Sequence, residues 1–346
     1  MNTNSLFGLL PAEHEHALLD AITPVMRWNG QTDPAEWQRA ARARLAARLG
    51  LDAIEPCRTD PRPTVEYDRY DETLGAREVR FRFFSEENVS VPCHLLIPTD
   101  AAEPLPVVIC LQGHSTGMHI SLGRPKYPGD EQDIHGGDRD FAVRTVREGL
   151  CALTLEQRCM GECGGTPEGP ACQEPALRAL LLGRTMIGER VWDIMRAIDV
   201  LQSTFAAQAD AQNIVCLGNS GGGTTTVYAA ALEPRIQIAV PSCAVSRYAD
   251  SIGAMGHCAC NYVPGIALDF DMGELCAMVA PRPLLVVSGR SDPIFPLAGA
   301  QACVAEARRV YEAMGAGSRL HHIIGEGGHR FYADDAWPVL HHALIS

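Results

Sequence analysis

Short apolar runs alternate with helical segments from about residue 76 to the end of this 346-residue chain. Runs such as LPVVICLQG (105–113) and PLLVVSG (283–289) contain no charged residue, which is typical of strands covered on both faces. The segments between such runs repeat apolar residues every three or four positions, as buried helix faces do. This alternation predicts an α/β fold with a doubly wound, mostly parallel sheet and helices on both of its faces.

About eight strands and five helices are predicted in this region. Because ligand sites in such sheets form at the carboxyl ends of the strands, we expect the functional side chains in the loops that follow them. The predicted strands are 78–86, 91–98, 105–113, 149–156, 213–219, 236–242, 283–289 and 319–325, and the predicted helices are 138–148, 185–204, 221–233, 298–314 and 333–344.

Residues 1–75 are predicted to be a helical extension that packs on a catalytic domain of residues 76–346. The segment DPAEWQRAARARLAARLGLD begins with a capping residue, Asp33, and a proline at the first helical position, and its helix ends at Gly50. Its apolar residues recur about every four positions and form one face. The proline-rich segment CRTDPRPTVEY (57–67) is predicted to be a linker.

The charge balance argues against a nucleic-acid or anionic-membrane surface. The chain has 42 acidic and 29 Lys or Arg residues, a net charge of −13, and no basic stripe. The N-terminus lacks the basic region of a secretion signal, and no run approaches the roughly 18 uncharged apolar residues of a membrane span. We expect a cytoplasmic protein that acts on a small molecule, and the sequence leaves homo-oligomer formation open.

The 13 cysteines favour buried, reduced thiols, because many lie in apolar segments and their number is odd. Two clusters resemble metal ligands: Cys159 with Cys163 in RCMGEC, and His257 with Cys258 and Cys260 in GHCAC. Structural zinc sites usually combine two paired elements of the C-x2-4-C kind, and neither cluster provides two such pairs. The sequence therefore predicts no metal and no other cofactor.

The segment GNSGG predicts a catalytic serine. Gly218, Ser220 and Gly222 form a G-x-S-x-G pattern directly after one predicted strand and before a helix. In that setting the serine lies on a sharp turn that only very small neighbours permit, and its hydroxyl projects from the sheet. A phosphate-binding loop is excluded, since no lysine follows the glycines and the dinucleotide pattern G-x-G-x-x-G is absent.

A serine nucleophile needs a general base and an acid that orients the base, in the chain order Ser, Asp or Glu, His. Asp292 directly follows the strand PLLVVSG, and His329 lies in the glycine-rich loop EGGHRFY. A turn or helix-cap role is the alternative for Asp292. The histidine pairs 321–322 and 341–342 fall inside a predicted strand and helix, so they are expected to be packing or surface residues.

The negative charge of the tetrahedral intermediate needs two backbone N–H donors. We predict the amides of Gly221 and His114, the latter in the loop QGHSTG after the strand LPVVICL. Ser115 is predicted to contact substrate. Arg158 follows another strand and is predicted either to contact substrate or to form a structural salt bridge.

Several segments resemble the α/β-hydrolase superfamily, and within it the dienelactone-hydrolase and acetyl-xylan-esterase-like branch. They are LPVVICLQGH, LEQRCMGECGG, GRTMIGERVWDIMRAIDVLQ, GNSGGG, APRPLLVVSGRSDPIFP and GEGGHRFY, and the resemblance covers about residues 80–335. It implies an α/β-hydrolase fold and a serine-dependent ester hydrolase without metal or organic cofactor. It also implies that Ser220, Asp292 and His329 form the catalytic triad.

The predicted reaction is hydrolysis of small acyl or acetyl esters, including acetylated sugars, through an acyl-enzyme. An acyltransferase or a peptidase with the same triad stays open. Carbon–halogen chemistry is disfavoured because it normally uses an aspartate where this chain has Ser220. A non-enzymatic binding module is disfavoured because all three triad positions are filled. The loops 114–137, 157–184 and 243–275 are predicted to form the pocket, with HCACNYVPG (257–265) in the last.

Overall fold

The computed structural model describes residues 10–99 and 104–345. Residues 1–9, part of the segment in which we expect no secretion signal, lie outside the described residues. The strands are β1 (Thr64–Asp71), β2 (Ala76–Glu86), β3 (Val89–Pro98), β4 (Leu105–Leu111), β5 (Cys151–Leu155), β6 (Ala209–Asn219), β7 (Ile236–Ser242), β8 (Leu284–Gly289) and β9 (Leu320–Gly325). The α-helices are α1 (Pro11–Ala21), α2 (Pro34–Leu49), α3 (Leu51–Ile54), α4 (Phe141–Arg147), α5 (Gln173–Leu181), α6 (Met186–Thr204), α7 (Gly221–Leu232), α8 (Ile266–Asp269), α9 (Met272–Ala277), α10 (Leu297–Ala313) and α11 (Ala333–Leu344).

All these strands form one sheet in the order β1-β2-β3-β5-β4-β6-β7-β8-β9. The pairings β1–β2, β2–β3 and β3–β5 are antiparallel, and the other five are parallel. The predicted α/β fold with a mostly parallel sheet is therefore confirmed, and each of the eight predicted strands is present.

Strand β1 is the element that the sequence does not predict. The linker prediction for 57–67 is wrong from Thr64 onward, where the chain forms an edge strand whose side chains are mostly exposed. Such a strand needs no apolar run. It pairs with β2 through an antiparallel backbone ladder and through ion pairs, including Arg69 with Glu78 and Asp68 with Arg77.

Two apolar layers cover the two faces of the sheet. One contains residues from α2, α6, α7, α9 and α10, and the other contains residues from α4 and α11. In α2 the residues Trp37 and Leu45 are buried in the first of these layers. The Asp33 side chain accepts a hydrogen bond from the Glu36 amide at 2.9 Å, and Gly50 ends the helix at φ 73°. The division into an extension and a catalytic domain at residue 75 stays a prediction.

No helix within residues 10–99 and 104–345 combines the length and the apolar character needed to cross a membrane.

Candidate active site

The loops that carry the predicted site begin at one edge of the sheet. In the parallel region Leu111 of β4 lies opposite Gly218 of β6, and Gly289 of β8 lies opposite Gly325 of β9. The carboxyl ends of these strands are therefore level with one another. The predicted site residues in the loops or turns that follow are His114, Ser115, Ser220, Gly221, Asp292 and His329.

Ser220 lies on a strained turn between β6 and α7. Its backbone has φ 54° and ψ −121°, a region that residues with a side chain rarely occupy. A Cβ atom at Gly218 would lie 2.5 Å from the backbone of Gly222, and one at Gly222 would overlap the carbonyl oxygen of Leu111. The two glycines are needed because the backbones of the turn and of β4 approach so closely. This is the turn geometry that the G-x-S-x-G pattern predicts.

This crowding predicts a stability effect. Gly222→Ala is expected to lower the free energy of unfolding by about 2–3 kcal/mol, because the new methyl group must displace the backbone at Leu111. Gly256→Ala is the matched control, since a Cβ atom there meets nothing within 4 Å. Urea denaturation of both variants measures the difference. Equal stability of the two variants would show that the turn is not close-packed.

Asp292 and His329 are joined by a hydrogen bond of 2.9 Å between Oδ2 and Nδ1. The other carboxylate oxygen of Asp292 accepts hydrogen bonds from the amides of Ile294 and Phe295 at 2.8 and 3.1 Å. Burial acts to raise the pKa of Asp292, but the contact with His329 and the two amides outweigh it and hold the pKa below its usual value. An ionised Asp292 accepts a hydrogen bond from the Nδ1–H group of His329, which keeps the proton on Nδ1 and leaves Nε2 as the basic nitrogen.

The turn at Ser220 and the loop of His329 both contact the end of β7. The Ser242 carbonyl accepts a hydrogen bond from the Ser220 amide at 2.8 Å. The thiol of the next residue, Cys243, donates a hydrogen bond to the carbonyl of Arg330 at 3.1 Å. Arg330 directly follows His329 in the chain. The structure thus brings the predicted nucleophile and the Asp292–His329 pair to the same strand ends.

The loop after β4 passes alongside the nucleophile. A Cβ atom at Gly113 would lie 3.0 Å from the Cβ atom of Ser220, and one at Gly221 would lie 2.7 Å from Nδ1 of His114. Gly221 is the first residue of α7, where helix amides have no partner within the helix. The Gly221 amide and the ring of His114 therefore both lie beside the turn of Ser220.

The two predicted substrate contacts differ in the structure. Ser115 is buried, and its hydroxyl has no hydrogen-bond partner within the described part of the chain. Arg158, in contrast, forms ion pairs with Glu86, Glu189 and Asp193 at 2.6–3.1 Å. Its guanidinium group is engaged by these three carboxylates, so the structure corrects the prediction for Arg158 to the salt-bridge alternative.

Sequence reasoning missed that Phe295 is an aromatic neighbour of His329 and that His257 in turn packs against Phe295. The ring of Phe295 stacks on His329, with centroids 6.1 Å apart and planes 16° apart. The ring of His257 packs edge-on against Phe295 at 5.5 Å. Phe295 could have been noted because it lies three residues after Asp292 in the same loop. The segment 257–265 thus starts beside the catalytic histidine candidate.

Among curated proteins, the chain is similar to hydrolases. No protein-family model matches the sequence. YtaP of Bacillus subtilis strain 168, described as a hydrolase, is 28% identical over 245 residues, which are 69% of this chain and 77% of YtaP. The 4-O-methyl-glucuronoyl methylesterase 1 of Wolfiporia cocos is 31% identical over 163 residues. That alignment spans 40% of this chain and 40% of the methylesterase.

Solved structures share the fold over most of the chain. A protein from Bacteroides fragilis described as an acetyl xylan esterase has a TM-score of 0.75 at 17% identity, over 93% of this chain and 84% of that one. A glucuronoyl esterase from Solibacter usitatus has a TM-score of 0.70 at 19% identity, over 93% of this chain and 97% of that one. With the sheet order and the strained turn after β6, these similarities show that the chain has the α/β-hydrolase fold.

Proposed function

We propose that this chain is a serine-dependent hydrolase of carboxylic esters. The observation that carries the proposal is the Asp292–His329 hydrogen bond at the strand ends where Ser220 occupies its strained turn. A buried carboxylate that orients an imidazole beside a serine is the arrangement that activates a hydroxyl for acyl transfer. The esterases among the similar proteins support the same reaction class.

In the proposed reaction, the Ser220 oxygen attacks the ester carbonyl while Nε2 of His329 accepts its proton. Asp292 stabilises the imidazolium that forms, and the amides of Gly221 and His114 donate to the oxyanion. His329 then protonates the leaving alcohol, and an acyl-enzyme remains on Ser220. Water, deprotonated by His329, releases the acid by the same steps in reverse order.

The proposed substrate is an ester of a carbohydrate. Three of the four similar proteins reported above are named as esterases of glucuronoyl groups or of acetyl xylan, and YtaP is described only as a hydrolase. A cavity of about 180 Å³ adjoins the β4 loop at Thr116, and we propose that the sugar binds there, beside Lys126, Tyr127 and Glu162. Hydroxyl, ammonium and carboxylate groups of this kind can hydrogen-bond sugar hydroxyls.

Matched ester pairs test this proposal. One pair compares an acetylated sugar with ethyl acetate, and the other compares methyl glucuronate with methyl propionate. In at least one pair we expect kcat/KM to be at least about tenfold higher for the sugar ester, which corresponds to about 1.4 kcal/mol. A p-nitrophenyl acetate assay reports ester hydrolysis itself. No carbohydrate preference in either pair would contradict the substrate class, and no hydrolysis of any ester would contradict the reaction.

Two further assays, one with an added alcohol and one with amides matched to the esters, address the alternatives. An acyltransferase would transfer the acyl group to an added alcohol in preference to water, and a peptidase would cleave matched amides. Cytoplasmic location and membership of the dienelactone-hydrolase branch stay predictions.

A further inference from the structure

Four metal-binding side chains meet next to the turn of the nucleophile. A ring nitrogen of His114 and the sulfur atoms of Cys172, Cys258 and Cys260 all lie within 4.8 Å of one another. Nε2 of His114 lies 3.0 Å from the Cys260 sulfur. Cys172 and Cys260 are buried, and the other two residues are partly buried. The four residues come from three loops that are distant in sequence.

This donor set matches one kind of metal. Three cysteine sulfurs and one imidazole nitrogen are the ligands of structural zinc sites, in which bonds of about 2.0–2.3 Å point to the corners of a tetrahedron. Such bonds place the ligand atoms roughly 3.5–3.8 Å apart. Thiolate ligands also favour Zn²⁺ over Mg²⁺ and Ca²⁺, which prefer oxygen. With four protein ligands, no position remains for a catalytic water.

A buried arginine supplies the charge that such a site requires. Arg190 is 1% exposed, and its guanidinium group contacts the sulfurs of Cys260 and Cys172 at 3.3 Å each. Within the described residues no carboxylate forms a salt bridge with Arg190, and the nearby Asp193 of α6 pairs with Arg158. A buried cation without a counter-charge is costly. Three thiolates around one Zn²⁺ leave a net charge of −1, which Arg190 neutralises.

We infer that His114, Cys172, Cys258 and Cys260 form a closed Zn²⁺ site that joins the loop after β4, the loop before α5 and the segment 257–265. The three thiols lose their protons to solvent when the metal binds, as zinc ligation requires. This inference replaces the prediction that the chain binds no metal. The site is a structural one, since its ion has no open coordination position.

The location of the site gives it a consequence for catalysis, and this consequence alone rests on the proposed function. His114 uses its ring for the metal and its backbone amide for the oxyanion. The ring also packs against Gly221, the residue after the nucleophile. The ion therefore fixes the loop that supplies one of the two oxyanion donors.

Metal analysis of the purified full-length chain tests the site. We expect about one zinc ion per chain in the wild type and less than about a tenth of that in Cys258→Ser and Cys260→Ser, because each variant removes one of four ligands. Cys303→Ser is the control, since Cys303 is a buried thiol of α10 away from the cluster and its loss should leave the zinc content unchanged. Full zinc content in both ligand variants would overturn the assignment.

Cobalt substitution tests the ligands without any variant. The wild-type chain, produced in minimal medium with Co²⁺ in place of Zn²⁺, is expected to show thiolate-to-cobalt charge-transfer absorption and the intense visible bands of a tetrahedral ion. A wild-type chain that contains no zinc and shows none of these cobalt bands would overturn the site. A thiol titration that finds these cysteines joined in a disulfide would also overturn it. Neither readout uses ester hydrolysis, so the result is independent of the proposed function.

Discussion

Ser220→Ala is expected to lower kcat for ester hydrolysis by about 10⁵- to 10⁶-fold, as removal of the nucleophile does in serine hydrolases. The hydroxyl is the only group lost, and alanine keeps the Cβ atom that already occupies the strained backbone at φ 54°. The fold and its stability should therefore stay close to those of the wild type. Stopped assays with the best ester of the panel, together with thermal unfolding, measure both properties.

Ser203→Ala is the matched control for that variant, because Ser203 is an exposed serine of α6. Its kcat should equal the wild-type value. A Ser220→Ala protein that retains more than about a tenth of wild-type kcat would show that another group attacks the ester.

Asp292→Asn is expected to lower kcat by about 10⁴-fold with little change in KM. The amides of Ile294 and Phe295 should hold the asparagine carbonyl where they now hold one carboxylate oxygen. The asparagine NH₂ group then faces His329 and donates to Nδ1. The imidazole proton is thereby forced onto Nε2, and His329 can no longer accept the proton of Ser220.

Glu326→Gln is the matched control for Asp292→Asn. Glu326 is an exposed carboxylate three residues before His329, and it pairs with Arg290 rather than with the histidine. Steady-state kinetics of the two variants should differ by about the same 10⁴-fold factor. Similar kcat values for both would remove Asp292 from its proposed role and leave it as a structural cap of its loop.

The sequence predicts β4 and β8 well because these strands lie inside the parallel region and are largely buried. Their sequences LPVVICL and PLLVVSG are therefore recognisable as apolar runs. The turn at Gly218–Gly222 is recognisable for another reason, because close backbone contacts require its glycines. The edge strand β1 was not predicted, because its exposed positions carry charged side chains and it contains no apolar run.

The site was only partly predictable. The order of elements along the chain places Asp292 and His329 in loops after strands, but it does not show which side chains from other elements contact the residues of the site. Arg158 is an example: its three carboxylate partners come from β2 and α6, which no local pattern connects to it. The metal ligands are another example. Cys258 and Cys260 form a recognisable pair, but His114 and Cys172 approach them only through the packing of separate loops.

Peptide mapping after reaction with a fluorophosphonate tests the central claim most directly, because this reagent bonds covalently to an activated serine. The claim is that the turn at residue 220 and the Asp292–His329 pair together activate one hydroxyl. We predict a single phosphonyl group on the peptide that contains Ser220, formed in step with the loss of esterase activity and absent in Asp292→Asn over the same time. Loss of activity with the label on a different residue, or full activity after exhaustive treatment, would contradict the account.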